Sequence, residues 1–408
     1  MQANYVLRKV LGLVRTPEAS PPAPAARSGT GEMVPAEPTV VPLRESQSGP
    51  ANDAAFAPGP PPQLYLDREP ASPAPAARPA PTPRPASFTR HTFQFANTPY
   101  AYRLYQPARA DSSAASAPLP LVIMLHGCKQ DAADFAQGTA MNELAELHDC
   151  IVLYPEQQAK ANALRCWNWF DTAHQGRDMG EPGMLAALTR KVLKGHNADP
   201  ARVYIAGLSA GGAMAAVMAG LYPELYAAVG VHSGVPTGAA SGVISALSVM
   251  RRGARPAAST GEPESVMPTI VFHGGADRTV HPENGEQIVN AALSTLDACG
   301  VILKKTEVAQ DGAAGEVNGE VDGDADDAAV GRDAFRTVYS AADGKSYVEY
   351  WEVGTGPHAW SGGNPAGSFT DPEGPDASRA MLAFFLQHSK PAPAGRSAGP
   401  ANAKTLAQ

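Results

Sequence analysis

Apolar residues along this chain gather into short unbroken runs, and the stretches between those runs repeat their apolar positions at helical spacing. "LPLVIMLHG", "CIVLYPEQ", "RVYIAG", "AAVGVHSG", "MPTIVFHGGAD" and "YVEYWEV" have the length and the Val/Ile content of strands buried on both faces. Between them, "DAADFAQGTAMNELAELHD" predicts a helix with Phe135, Leu144 and Leu147 turned inward. "MGEPGMLAALTRKVLKGHNAD" predicts another, with Pro182 near its start, and "AGGAMAAVMAGLY", "GEQIVNAALSTLDA" and "PDASRAMLAFFLQH" predict three more. At the front, "FTRHTFQFANTPYAYRLYQPA" alternates aromatic and polar residues around Asn97-Thr98-Pro99, the pattern of an edge hairpin. Buried strands alternating with amphipathic helices imply an α/β fold, a mostly parallel sheet covered on both faces. In such a sheet, functional residues collect beyond the carboxyl ends of the strands.

Composition narrows the domain count. The chain has 408 residues, but about half of its 39 prolines precede residue 88. Stretches such as "EPASPAPAARPAPTPRPAS" lack the apolar residues that offset the entropy of ordering, so 1–87 and the tail 391–408 are expected to be disordered. One catalytic-sized domain remains over 88–390. Within residues 4–15, Leu7, Val10, Leu11 and Val14 share one helical face while Arg8, Lys9 and Arg15 fall opposite, the pattern of a frayed terminus or of a surface-seeking amphipathic helix. The same charges interrupt any secretory signal core, and no apolar run is long enough to span a membrane.

The net charge of −8 is concentrated in one place. Residues 307–333 carry nine acidic residues against Arg332 alone, which leaves the rest of the chain neutral and identifies a solvated acidic insertion. With no basic stripe, nucleic acid is excluded as a partner. Asp322, Asp324 and Asp326 imitate the start of a calcium loop, but Asp327 stands where that loop needs glycine and Asp333 where it needs glutamate, so no metal is expected. The four cysteines, at 128, 150, 166 and 299, form no C-x-x-C pair.

The chemistry centres on Gly207-Leu208-Ser209-Ala210-Gly211, between strand "RVYIAG" and helix "AGGAMAAVMAGLY". A strand that turns into a helix within so few residues strains its central position and holds that side chain out above the helix N-terminus. The glycines leave room for the crossing chains. This is the nucleophile elbow of the α/β-hydrolase fold. A serine hydroxyl needs a base, and the base needs a third group to fix its tautomer. The α/β-hydrolase order is serine, acid, histidine. Asp277 follows strand "TIVFHGG" and His358 follows strand "YVEYWEV", so Ser209, Asp277 and His358 are the expected nucleophile, acid and base. His273 is expected to brace the Asp277 loop, His281 to cap a helix, His126 to pack under a turn, His388 to lie exposed on the closing helix, and Asp343 to sit in a turn. An oxyanion needs two aimed backbone N–H groups; Ala210, after the nucleophile, supplies one, and Cys128 in "LHGCKQ" supplies the other. The arrangement needs no cofactor.

"MLHGCKQDAADFAQGTAMNELAELHDCIVLYPEQ", "RCWNWFD", "GLSAGGAMAA", "FHGGADRTV" and "GPHAWSGG" occur in this order and together resemble the type-1 catalytic domain of short-chain polyhydroxyalkanoate depolymerases, within the polyhydroxybutyrate-depolymerase esterase family. The resemblance runs from about 90 to 388. It implies the same triad and oxyanion amides, and a Cys128–Cys166 bridge tying the oxyanion loop to the "WNWF" loop. It also implies a polyester or small-ester substrate, poly(3-hydroxybutyrate) or its oligomers, with feruloyl or acetyl sugar esters as the alternative. A third reading makes the chain a binding protein for a polymer granule or membrane surface. Trp167, Trp169 and Trp360 flank the motif loops, as core packing or as an apolar platform for ester units, and Trp360 is the expected substrate contact. The interrupted signal pattern points to the cytoplasm, on polymer granules, while the implied bridge points to export. The sequence sets no oligomeric state.

Overall fold

The computed structural model describes residues 85–109, 117–254, 265–310 and 331–391. The expected helix over 4–15, the Pro-rich front before residue 85, the tail from 392 and the Asp322–Asp324–Asp326 run lie outside the described residues.

Ten strands form one sheet. In chain order they are β1 (Ser87–Phe95), β2 (Thr98–Gln106), β3 (Leu119–Leu125), β4 (Ile151–Pro155), β5 (Ala198–Leu208), β6 (Ala228–His232), β7 (Thr269–Gly274), β8 (Lys304–Gln310), β9 (Ala334–Ser340) and β10 (Ser346–Val353). Their spatial order is β1-β2-β4-β3-β5-β6-β7-β10-β9-β8. The six central strands, from β4 to β10, pair in parallel; the pairs β1–β2–β4 and β10–β9–β8 at the edges are antiparallel. At the first edge, Ala96 and Asn97 both take positive φ, which matches the turn to the twist of the two strands it joins.

Successive strand residues face opposite ways, and the two faces of the sheet carry two separate cores. Leu121, Ile123 and Leu125 of β3 and Val203 and Ile205 of β5 belong to one core; Val122, Met124, Tyr204 and Ala206, from the same strands, belong to the other. Seven helices cover the faces: α1 (Ala132–Thr139), α2 (Met141–Leu147), α3 (Gly180–Gly195), α4 (Ala210–Leu221), α5 (Val243–Arg252), α6 (Glu283–Ala298) and α7 (Ala377–Phe385). A 3₁₀ turn (Thr172–His174) and a two-stranded ladder, β11 (Trp360–Ser361) with β12 (Thr370–Asp371), complete the described elements.

Several expectations change. The single helix predicted over "DAADFAQGTAMNELAELHD" is two helices, because Ala140 adopts left-handed φ of 49° between them. That break turns Leu147 outward, 73% exposed, whereas Phe135 and Leu144 are buried as the spacing requires. His388 is not exposed: at 5% exposure it packs on Phe384 and donates from Nε2 to the Ser346 carbonyl at 2.8 Å. The acidic insertion does not begin at 307, since residues 307–310 are the end of β8, paired with β9; the pairs β8–β9 and helix α5 were not anticipated.

Candidate active site

β5 ends at Leu208 and α4 begins at Ala210, so Ser209 alone makes the turn, at φ 57° and ψ −119°. A non-glycine residue is rarely found there, and the surrounding packing must hold it. Gly211 shows why the crossing demands glycine: a Cβ on it would lie 2.0 Å from the Leu125 carbonyl oxygen. Ser209 donates its N–H to the His232 carbonyl at 2.8 Å, which ties the elbow to β6.

Asp277 and His358 occupy the loops after β7 and β10, which are parallel neighbours. The loops are laced together: Gly275 N–H donates to the Val353 carbonyl at 2.8 Å and Ala276 N–H to the Gly356 carbonyl at 3.0 Å. His358 Nδ1 lies 2.6 Å from Asp277 Oδ2, and its Nε2 lies 2.9 Å from Ser209 Oγ. With Asp277 ionised, Nδ1–H donates to the carboxylate and leaves Nε2 to accept from the serine hydroxyl. The other carboxylate oxygen accepts the N–H groups of Thr279 and Val280, both at 2.8 Å. Burial pushes the Asp277 pKa up, but the hydrogen bond and charge of His358 and the Val280 amide outweigh it and hold the group below its ordinary 3.8.

Two further histidines support these loops. His273 donates from Nε2 to the Val280 carbonyl at 2.9 Å, holding the loop whose amides grip Asp277. Burial pushes its pKa below the ordinary value. His232, which the sequence reading passed over, accepts the Ser361 N–H on Nε2 at 2.9 Å, three residues beyond His358. Its burial pushes the pKa down to about 3. The signal was present in "VHSG", a histidine at the carboxyl end of a buried strand. His126 donates from Nδ1 to the Gly127 carbonyl at 2.7 Å and accepts the Gln157 N–H, within the turn it was expected to support.

A cavity of about 180 Å³ opens over Ser209, with Ala210, Cys128 and His358 in its lining. Ala210 is the first residue of α4, so its N–H has no carbonyl one turn back to meet. Cys128 is fixed by a disulfide to Cys166, Cα atoms 4.2 Å apart, and the next residue, Lys129, donates its N–H to the Leu164 carbonyl at 2.7 Å. Trp169, Phe170, Val243, Ala246, Met250 and Phe369 supply an apolar wall. Trp169 therefore reaches the cavity, but Trp360 and Trp167 do not. Trp360 is 1% exposed, donates Nε1–H to Ser378 Oγ at 3.0 Å and stacks on His232, while Trp167, fully buried, packs under His126. Their rings are needed beneath the loops, and this corrects the expected substrate contact. Phe170, Phe369 and the α5 residues were missed because nothing local marks a loop or a short helix as folding over a distant elbow.

Comparison with known proteins adds the following. The family described as "Esterase PHB depolymerase" matches residues 100–322, more than half of the chain. Poly(3-hydroxyalkanoate) depolymerase C of Paucimonas lemoignei is 34% identical over 180 residues, covering 42% of this chain and 43% of that protein. Feruloyl esterase B of Neurospora crassa is 33% identical over 99 residues, 24% of this chain and 33% of the relative. The chain thus spans less than half the length of these relatives. The solved structure of an acetyl xylan esterase from Aspergillus awamori superposes with a TM-score of 0.51 at 17% identity, covering 73% of this chain and 99% of that one. That likeness establishes the α/β-hydrolase fold.

Proposed function

We propose, because the chain belongs to the Esterase PHB depolymerase family, that it is a serine ester hydrolase whose substrates are poly(3-hydroxybutyrate) and its short oligomers. The observation that carries this reading is the unbroken relay Asp277–His358–Ser209, at 2.6 and 2.9 Å, at the floor of an apolar cavity. His358 Nε2 takes the Ser209 proton as Oγ attacks the ester carbonyl, and Asp277 stabilises the imidazolium that forms. The N–H groups of Ala210 and Cys128 receive the developing oxyanion, an interaction worth about 3 kcal/mol per donor in comparable sites. His358 then hands its proton to the departing alkoxide oxygen. Water, deprotonated by the same imidazole, releases the acyl group as a carboxylic acid and restores Ser209.

The similarity to feruloyl esterase B and to acetylxylan esterase A of Aspergillus oryzae supports a second reading, a carbohydrate esterase. Turnover of hydroxybutyrate oligomers, feruloyl sugar esters and acetyl sugar esters by one preparation separates the two. Ser209→Ala is expected to lower kcat on every ester by at least about 10⁴-fold while leaving adsorption to amorphous polymer granules unchanged. Undiminished hydrolysis in that variant would overturn the assignment, and adsorption with no hydrolysis by the wild type would favour the surface-binding reading. Of the two locations, the Cys128–Cys166 bridge supports one where thiols are oxidised.

A further inference from the structure

Charge around the cavity runs against the charge of the chain. The protein is net acidic, yet the cavity lining contains Lys129, Arg251 and Arg278 and, among the described residues, no aspartate or glutamate. All three cations are exposed, and none has an ion-pair partner among the described residues, although most other arginines of the fold do. They are set on anchored backbone. Lys129 follows the disulfide-bonded Cys128 and is held through its own N–H. Arg251 lies in the last turn of α5, and that turn is bonded to the loop that carries Arg278. The Met250 carbonyl accepts the His281 N–H at 2.7 Å, and the Val249 carbonyl accepts from Asn284 Nδ2 at 3.0 Å. Two guanidinium groups and an ammonium thus line a cavity whose other side chains are apolar or, at Gln130, Ser209, Thr279 and His358, polar and not acidic.

Neither a neutral acyl chain nor a neutral sugar brings the negative charge that complements such a rim. A carboxylate does. In a 3-hydroxyacid oligomer the terminal acid group lies on the alcohol half of the last ester, separated from the ester oxygen by one methine and one methylene. We propose that Lys129, Arg251 and Arg278 recognise a carboxylate on the leaving-group side of the scissile ester, so that the preferred substrates are short hydroxyalkanoate oligomers cut from their free-acid end. This rests on the ester-hydrolase reading above and adds a direction to it. The Oγ–acyl bond forms as the ester C–O bond breaks, the Ser209 proton passes through His358 to the departing oxygen, and a 3-hydroxy acid anion leaves across the cationic rim. Water then frees the shortened chain, whose new carboxylate is the next end to be read.

The test compares the linear trimer of 3-hydroxybutyrate as the free acid with the same trimer capped as a methyl ester, using the full chain at neutral pH. Both yield the same kind of acyl-enzyme, so the preference belongs in kcat/KM, which reports acylation. At low salt the free acid is expected to lead by about tenfold, and at 1 M salt, where the screening length falls to about 3 Å, the ratio is expected to fall towards one. In Arg251→Gln/Arg278→Gln the low-salt ratio is expected to approach one, and in Arg251→Lys/Arg278→Lys to remain well above it. Hydrolysis of both trimers at a ratio of one or below, or a ratio indifferent to salt, overturns the proposal and leaves the esterase reading standing. Hydrolysis of neither trimer overturns both. Should the glutamine variant fail to fold, the salt dependence of the wild-type ratio decides alone.

Discussion

Single residues in this protein are governed by whether burial leaves them a partner. Ser209, Asp277 and His358 were legible because each follows a buried strand in the expected chain order, and β5, β7 and β10 lie within four consecutive parallel strands, with β6 between β5 and β7. Exposure is not local, which is why Trp360 and His388 were misjudged. His388 has a testable consequence. Burial pushes its pKa down to about 4 from an ordinary 6.5, so between those values the unfolded chain binds a proton that the native state refuses. Stability is therefore complete above pH 6.5 and declines as pH falls towards 4, by about 3 kcal/mol for this group alone. Gln can still donate to the Ser346 carbonyl without titrating. Urea unfolding of His388→Gln across pH 4–7 is expected to show a pH slope shallower than wild type by up to one proton, and an identical slope would contradict the assignment.

Elements are held where backbone meets backbone. The strands were readable because a strand buried on both faces must be apolar throughout, whatever its neighbours. Helix α5 went unread although Val243, Ala246, Leu247 and Met250 stand at helical spacing, and only Ala246 of its ten residues is buried. The break at Ala140 was equally hidden, since alanine is the best of helix formers and only tertiary packing forces it into left-handed geometry. At the elbow the reverse holds, and the glycines announce the geometry. A Cβ at Gly211 would lie 2.0 Å from the Leu125 oxygen and 2.6 Å from the His126 oxygen, both backbone atoms that cannot move without shifting β3. Gly211→Ala is expected to cost about 3 kcal/mol or more. Its activity should fall further than its folded fraction, because the shift displaces the Cys128 loop against Ser209. The same substitution at Gly220, whose Cβ meets nothing within 4 Å, gains helix propensity by about 1 kcal/mol and serves as the control. Thermal unfolding with active-site titration of the two variants distinguishes these outcomes.

At the scale of the whole molecule, the catalytic loops and the acidic insertion are joined to different strands of the sheet. The catalytic strands β5, β7 and β10 lie in its middle, and the acidic insertion joins β8 to β9 at its far edge, with Gln310 opposite Ala334 as the last pair of that ladder. Sequence composition revealed the insertion as foreign to an otherwise neutral chain, but not that it joins an edge hairpin, because β8 is exposed over 304–309 and β9 is largely half-buried, so their polar residues look like loop. Residues 311–330 contain seven acidic and no basic residues, so their removal changes the net charge from −8 to −1. A hairpin closed by a short Asn-Gly turn keeps every β8–β9 pair. Replacing 311–330 by such a turn is therefore expected to leave Tm within about 2 °C of wild type and kcat/KM on a neutral aryl butyrate within about twofold. An uncharged substrate gives such net charge little to act on, and screening over a Debye length of about 10 Å weakens it further. Salt should discriminate further. Any change in turnover of the acid-ended trimer must shrink as ionic strength rises, because only screened, long-range repulsion by the insertion can cause it. A loss of aryl butyrate turnover that persists at 1 M salt would instead mean that the insertion contacts the catalytic body.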